Sequence, residues 1–427
     1  MLAWPQKGDS GTMAVTEAVL GRSPIRALLH ILVGLICPVL LAKANLPLID
    51  CAGGSSGAIR DSSGDLDYGP EEFVEADGAQ IVVPGYSVPS FVRWDGDDLR
   101  DLIVGEGGDE YPGKVRVYRN VGTSSIPEFG GYFYVQSDGG DLTVPGEGCL
   151  GAFPRVVYWD GDDRKDLLIG RADGTVELFL NIGSDDEPTF GGGRLLRVGE
   201  PGSKVDIDVF YRATPTVADW NNDGKKDLIV GSVDGLIYIY LNEGTDTEPD
   251  FRSEQYAEMD DGELLSVPAT RSSPAVHDLD GDGKKDLLTG DREGQLLFYS
   301  NSASDEAPAF APYSLARSDG VPIDLPDLPR SRPFVCDWTD DGLLDVLVGS
   351  GDGTVRLYQG VPPPGDLDLD GDVDLSDFEV LADCLAGPDQ TTPPGGCTPE
   401  QFGLADLDDD TDVDLNDFAL FQEAFAT

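Results

Sequence analysis

The chain of 427 residues carries 80 aspartates and glutamates against 29 lysines and arginines, a formal net charge of −51. No basic stripe exists to displace counterions from phosphates, which argues against nucleic acid as a partner and against anionic membrane surfaces. Hydrophobic residues make up 40% of the chain, enough for a packed core, while 54 glycines and 30 prolines point to many turns and short strands.

Reading from the N-terminus, Arg22 and Arg26 precede an apolar run from Ala27 to Ala42, which ends in the small-x-small triplet Ala42-Lys43-Ala44. This is the pattern of a secretory signal over residues 1–44, with initiation expected at Met13 and no stable membrane span after cleavage. The mature protein is therefore expected to be secreted, beginning with a flexible segment over 45–69. Export permits disulfides. Of Cys51, Cys149, Cys336, Cys384 and Cys397, the last two flank the short stretch "LAGPDQTTPPGG" and are expected to pair. A bridge over so short a loop contributes about 3 kcal/mol.

Five related stretches follow: "VRWDGDDLRDLIVG" (92–105), "VYWDGDDRKDLLIG" (157–170), "ADWNNDGKKDLIVG" (218–231), "HDLDGDGKKDLLTG" (277–290) and "CDWTDDGLLDVLVG" (336–349). Trp94, Trp159, Trp220, Leu279 and Trp338 recur about 60 residues apart, the period of a propeller or array. In each unit an apolar strand such as "TPTVADW" leads into the acidic loop. A second strand, "KDLIVG", then turns at a site such as Asp173-Gly174, Asp234-Gly235 or Asp352-Gly353 into a third strand, with a looser fourth beyond. Four antiparallel strands per repeat make a propeller blade. The last unit stops after its third strand, while "FVEADGAQIVVPGYSVPSF" (73–91) looks like a fourth strand stranded at the N-terminus. The expectation is an all-β, five-bladed β-propeller over 70–360, closed by that N-terminal strand, which removes an exposed sheet edge.

The acidic loops carry the chemistry. In "HDLDGDGKKDLLTG" the carboxylates of Asp278, Asp280 and Asp282 alternate before Gly283, and Asp286 closes from the far side. Unpaired, they repel; a hard cation with oxygen ligands relieves the repulsion. The motif D-x-[DN]-x-D-G-x-x-D-[LV], repeated at one spacing, resembles the FG-GAP/VCBS-type repeats of integrin alpha-subunit propellers and of secreted bacterial proteins. The resemblance implies Ca2+ in these loops. Carried over residue by residue, it gives full sets at Asp219, Asn221, Asp223 and Asp227 with the Lys225 carbonyl, and at Asp278, Asp280, Asp282 and Asp286 with the Lys284 carbonyl. In the last unit Asp337, Asp341 and Asp345 are present, and the Thr339 hydroxyl stands in for the second ligand. The first two loops depart from the pattern. Arg93 and Tyr158 replace the leading aspartate, and Asp98 and Asp163 replace the turn glycine, so their carboxylates are expected to cap turns, with Arg93 available to pair with Asp95 or Asp101.

Beyond the proline linker 361–365, residues 366–427 contain eighteen acidic residues and no lysine or arginine. Asp366, Asp368, Asp370, Asp374 and Asp377 occupy loop positions 1, 3, 5, 9 and 12, with Asp372 offering its carbonyl at position 7. Asp406, Asp408, Asp410, Asp412, Asp414 and Asp417 repeat the arrangement, and an amphipathic helix follows each loop. This pair resembles a type I dockerin, a small all-α double calcium-loop domain, and implies a cohesin-like partner. Thr411 stands where the second loop's turn glycine is expected, which should weaken that site. Leu375-Ser376 and Leu415-Asn416 replace the family's recognition pair, which puts cohesin binding in doubt.

His277 is the one histidine beyond residue 44, and no G-x-S-x-G, H-E-x-x-H or phosphate-loop motif occurs. The expected function is that of a secreted, calcium-binding propeller that binds an extracellular polysaccharide or surface protein and carries a docking module. An extracellular polysaccharide lyase or hydrolase built on the same scaffold is the alternative, and a purely structural adhesion protein is a third reading.

Overall fold

In the computed structural model the chain divides into two units, Met1–Asn45 and Leu46–Thr427. The described residues are 66–425, apart from 109–110, 148–149, 327–328, 369–372 and 409. The expected signal segment, Cys51 and Cys149 lie outside them, as do Asp370 and Asp372.

Among the described residues the repeat builds antiparallel meanders, each acidic loop joining a first strand to a second. The first sheet runs through Val88–Val92, Asp101–Gly108, Tyr111–Asn120 and Phe129–Tyr134. The second runs through Phe153–Val157, Asp166–Gly170, Val176–Phe179 and Arg194–Leu195. Thr214–Ala218, Asp227–Gly231, Ile237–Tyr240 and Gln255–Tyr256 form the third. The fourth holds Ser273–His277, Asp286–Gly290, Leu296–Tyr299 and Ser314–Leu315. The fifth combines Arg332–Cys336, Asp345–Gly349 and Val355–Tyr358 with the N-terminal strand Glu72–Phe73, which pairs antiparallel with Arg356 and Leu357.

The second strands are buried along their whole length, which is why they read as near-continuous apolar runs. Each first strand has proline as its second residue (Pro89, Pro154, Pro215, Pro274 and Pro333), tolerated because this strand is a sheet edge. The fifth residue of each second strand is a glycine that lies against the start of the next sheet. A Cβ on Gly105 would lie 2.3 Å from the Ala152 carbonyl oxygen, and one on Gly349 would lie 2.4 Å from that of Ser87. The fifth sheet therefore abuts the first. First strands touch in the same cyclic order, with 332–336 against both 273–277 and 88–92.

Aromatic contacts repeat the cycle. Trp94 meets Phe190 of the second sheet at 6.0 Å, Trp159 meets Phe251 of the third at 6.1 Å, and Trp220 meets Phe310 at 5.8 Å. Trp338, in the fifth sheet, meets Phe129 of the first at 5.6 Å. At the remaining position Leu279 shares a buried cluster with Leu66 and Tyr68. These two side chains correct the expectation of flexibility over 45–69: residues 66–69 are packed, and Asp67–Tyr68 pairs in parallel with Arg317–Ser318. The smaller leucine leaves room that the N-terminal segment fills. This is the strand plan of a β-propeller.

At the C-terminus, α1 spans Leu375–Cys384, α2 Pro399–Ala405 and α3 Leu415–Ala424. Asp374 and Thr398 cap α1 and α2 with reciprocal bonds to Asp377 and Gln401. Phe378 of α1 packs on Phe418 and Phe421 of α3, at 6.1 and 6.3 Å. Helix α2 was not anticipated, although Thr398-Pro399 followed by Gln401 is a helix-start signal. A disulfide joins Cys384 to Cys397.

Candidate metal centres

The closing aspartate of every propeller loop has the same surroundings. Asp101, Asp166, Asp227, Asp286 and Asp345 each accept one backbone N–H from within the loop, at Trp94, Trp159, Trp220, Leu279 and Trp338. The other carboxylate oxygen accepts an N–H just after the third strand, from Asn120, Asn181, Asn242, Asn301 or Gly360. All ten distances lie between 2.5 and 3.0 Å. Asp227, Asp286 and Asp345, expected as ion ligands, thus also hold the blade together, and so do their counterparts in the two divergent loops. Burial pushes Asp286 and Asp345 up to about 7, and Asp101, Asp166 and Asp227 up to about 6.

Carboxylate oxygens of Asp278, Asp280 and Asp282 gather within 4.8 Å of one another. Asp278 accepts the N–H groups of Gly281 and Gly283, both at positive φ, and burial raises its carboxyl to about 6. A divalent cation fits this donor set: hard, acidic, and favouring the ionised form that burial opposes. The Lys284 ammonium lies 2.6 Å from Asp282.

The other loops are assembled differently. Among the described residues no comparable trio forms from Asp219, Asp223 and Asp227, or from Asp337, Asp341 and Asp345. Asp219 accepts from Asp223 and Gly224, and the side chain of Asn221 accepts from Asp223 at 3.3 Å. Lys225 pairs with Asp223 at 3.3 Å. Asp337 makes the same pair of bonds with Asp341 and Gly342, while the Thr339 Oγ1 is buried without a hydrogen-bond partner. A trio does form in the second loop, from Asp160, Asp162 and Asp166, where Arg164 pairs with Asp162. In the first loop the Arg93 Nε donates to the Asp98 carbonyl, and Arg119 reaches Asp95 at 3.1 Å.

The C-terminal loops match each other closely. Asp366, Asp368 and Asp377 gather within 4.8 Å, as do Asp406, Asp408 and Asp417. Asp377 accepts from Leu367, Asp368 and Asp374, and Asp417 accepts from Leu407, Asp408 and Asp414. Thr411 takes φ 78 where the first loop has Gly371, a strained choice for a β-branched residue. Asp412 and Asp414 form a second trio with Asp417; the Asp412 Oδ1 is buried without a partner, and its Oδ2 accepts from Asp389.

One recurring set escaped the sequence reading. Asp185, Asp246 and Asp305 accept the backbone N–H of Lys165, Lys226 and Lys285 at 2.8 Å and pair with the same lysine ammonium groups. The signal was there in "SDDEP", "TDTEP" and "SDEAP", at one offset from each acidic loop.

The axis itself is nearly filled. Arg155 donates to the carbonyls of Pro89, Pro154 and Pro333, and its guanidinium lies 4.4 Å from the Phe153 ring. Beneath it a void of about 20 Å³ is lined by Thr216, Ala275, His277 and Phe334, and burial pushes the His277 imidazole down to about 4. A void of that size holds about one water. A larger groove of about 760 Å³ opens between the N-terminal strand and the first sheet, where Phe73 is exposed beside Glu72, Glu75 and Glu128 over Trp338.

A family model described as an FG-GAP-like repeat matches residues 219–289, the third acidic loop through the second strand of the fourth sheet. No curated protein sequence matches the chain. Among solved structures the chain is similar to the Tc holotoxin pore of Photorhabdus luminescens, with 12% identity over 70% of this chain and 16% of that chain, TM-score 0.31. It is also similar to an Agrocybe aegerita lectin that recognises non-reducing terminal N-acetylglucosamine, with 18% identity over 62% of this chain and 60% of that one, TM-score 0.32. A GH43_1 enzyme from Xanthomonas citri matches with 12% identity over 68% of this chain and 90% of that one, TM-score 0.40. The chain thus spans less than two thirds of the length of the first two. The chain is a repeat β-propeller containing an FG-GAP-like repeat. Among the described residues no helix is long and apolar enough to cross a membrane.

Proposed function

We propose that this is a secreted, calcium-stabilised, five-bladed propeller that binds an extracellular polysaccharide or protein and carries a dockerin-like module for attachment to a cohesin-like partner. The observation that carries the reading is the gathering of three carboxylates within 4.8 Å at Asp278, Asp280 and Asp282, and again at Asp366, Asp368 and Asp377. In both modules the chain concentrates like charge where a divalent cation makes the arrangement more favourable. Ca2+ would be held by these trios, with Asp406, Asp408 and Asp417 as a weaker third site. The ion supplies no chemistry to a substrate here; it fixes the loops that join first and second strands. Binding rather than catalysis is favoured because the conspicuous carboxylate trios are accounted for by loops, and His277 is neutral beside a void too small for a substrate.

Calorimetric titration of the metal-stripped full chain with Ca2+ and Mg2+ tests the first part. Saturable Ca2+ binding is the expected result, with the two tighter sites lost in Asp280→Ala combined with Asp368→Ala and only the weaker one left; equal binding by that variant refutes it. A glycan array, run beside reducing-sugar and unsaturated-product assays, separates a binder from a lyase or hydrolase.

A further inference from the structure

The residue three places before each first-strand proline is Tyr86, Gly151, Arg212, Arg271 or Arg330. Three arginines therefore recur at one register position, and Arg332 follows two residues after the last. Because the first strands touch in cyclic order, these side chains belong to successive sectors at one end of the axis, opposite the acidic loops. Arg212, Arg271 and Arg330 have φ of 62, 63 and 106. Left-handed backbone at a residue other than glycine is unfavourable, and here it recurs at one position in three sheets. The chain holds two of these residues firmly: the Arg212 N–H donates to Ala172 at 2.8 Å, and the Arg271 N–H donates to Val233 at 3.3 Å.

Two guanidinium groups at this end meet one aromatic ring. Arg330 and Arg332 lie 5.3 and 5.1 Å from the centre of Tyr86, and the Arg330 Nη1 donates to the Tyr86 hydroxyl at 3.2 Å. Arg212 and Arg332 are fully buried, whereas Arg271 and Arg330 are partly exposed, with the Arg271 Nη1 and the Arg330 Nε lacking a protein acceptor. Of the carboxylates at the same end, Asp208 accepts the Phe210 N–H at 2.8 Å, and three more are engaged elsewhere. Asp234 accepts from Leu236 and Tyr238, Asp291 accepts three backbone N–H groups, and Asp352 pairs with Arg356. Two residues before Arg212, Phe210 is 78% exposed at φ 71 and presents an apolar ring to solvent. Arg155 closes the axis two residues further in, so the surface is a shallow rim over a floor.

We infer that this arginine rim, Arg271 and Arg330 above all, binds the carboxylate of an acidic saccharide. The inference rests on the reading of the chain as an extracellular ligand-binding propeller and supplies its ligand class. A planar carboxylate matches the guanidinium fork in a way that a neutral hydroxyl does not, and Phe210 offers a ring face to a sugar. In a chain of net charge −51, a basic rim selects for a short acidic segment or chain end.

The test uses the full chain with Ca2+ present and four probes: a galacturonate trisaccharide, free galacturonate, inorganic sulfate and a neutral glucan trisaccharide. The acidic trisaccharide should bind, free galacturonate more weakly, and the neutral glucan not at all. Arg271→Gln with Arg330→Gln should weaken the trisaccharide by about tenfold or more, as expected for lost charge-assisted hydrogen bonds. Arg330→Lys keeps the charge and loses the fork, so it should weaken binding severalfold even if the double variant folds poorly. Sulfate binding as tightly as the trisaccharide would overturn the saccharide assignment. Unchanged affinity in both variants, or no binding of either galacturonate probe, would overturn the rim as the site. Binding of the neutral glucan alone would overturn this inference while leaving the propeller as a ligand binder intact.

Discussion

Asp286 accepts the Asn301 N–H on Oδ1 at 2.8 Å and the Leu279 N–H on Oδ2 at 2.9 Å, so one carboxylate fastens the end of a third strand to the acidic loop before it. Both donors belong to buried residues, and the same clasp recurs in the other sheets. Asp286→Ala should therefore destabilise the propeller by about 2–4 kcal/mol, because the N–H groups of Asn301, Leu279 and Asp280 lose their acceptor. Asp286→Asn, which keeps the shape and one acceptor, should lose less. Denaturant melts in chelator provide the measurement. An effect that appears only with calcium would make Asp286 an ion ligand and nothing more.

The buried clasps also set a pH dependence. Burial holds Asp286 and Asp345 near 7 and Asp101, Asp166 and Asp227 near 6, whereas an unfolded aspartate titrates at about 4. Between those values the native state binds more protons than the unfolded chain, so stability falls as pH rises through this window. In chelator the melting midpoint should be higher at about pH 5 than at about pH 7.5, and calcium should narrow the gap by favouring the ionised carboxylates. Thermal melts at several pH values check this. A midpoint that rises with pH in chelator would contradict it.

Removing residues 66–83 should open the ring. The fifth sheet would lose Glu72–Phe73 from its edge and the Val83 N–H bond to Gly353, and Leu279 would lose Leu66 and Tyr68 from its cluster. The bare strand Val355–Tyr358 is then a template for pairing with another chain. Light scattering should report association, together with a lower melting midpoint. A monomeric truncation that melts like the full chain would show that the N-terminal strand is dispensable.

In the C-terminal module the disulfide and the second acidic loop are linked through the chain. Just beyond Cys384, the N–H groups of Ala386 and Gly387 donate to the Val413 carbonyl, and that of Asp389 donates to Asp412. Opening the bridge frees the segment that supports this loop. Cys384→Ser with Cys397→Ser should weaken calcium binding severalfold in an Asp368→Ala background, which reports the second loop. In an Asp408→Ala background, which reports the first loop, the effect should be smaller. Equal effects in both backgrounds would mean that the bridge stabilises the whole module without favouring a loop.

The sequence by itself determined the repeat, the strand order within it and the exchange of an N-terminal strand into the last sheet, because these follow from periodicity and from incomplete ends that complement each other. It also determined the carboxylate positions, since alternating aspartates before a glycine can be read directly. The tertiary structure decided which of them gather. Asp219, Asp223 and Asp227 match the motif better than Asp160, Asp162 and Asp166, yet the second set forms the trio, because side-chain direction depends on where the backbone N–H groups of each loop point. It decided the clasp made by Asp286, whose partner Asn301 lies fifteen residues away and comes close only when the third strand returns. Folding likewise brings Leu66 and Tyr68 beside Leu279, more than two hundred residues distant, where a leucine stands in place of the recurring tryptophan. The arginine rim belongs to both levels: its spacing is written before five prolines, but only closure of the ring makes neighbours of residues about sixty positions apart.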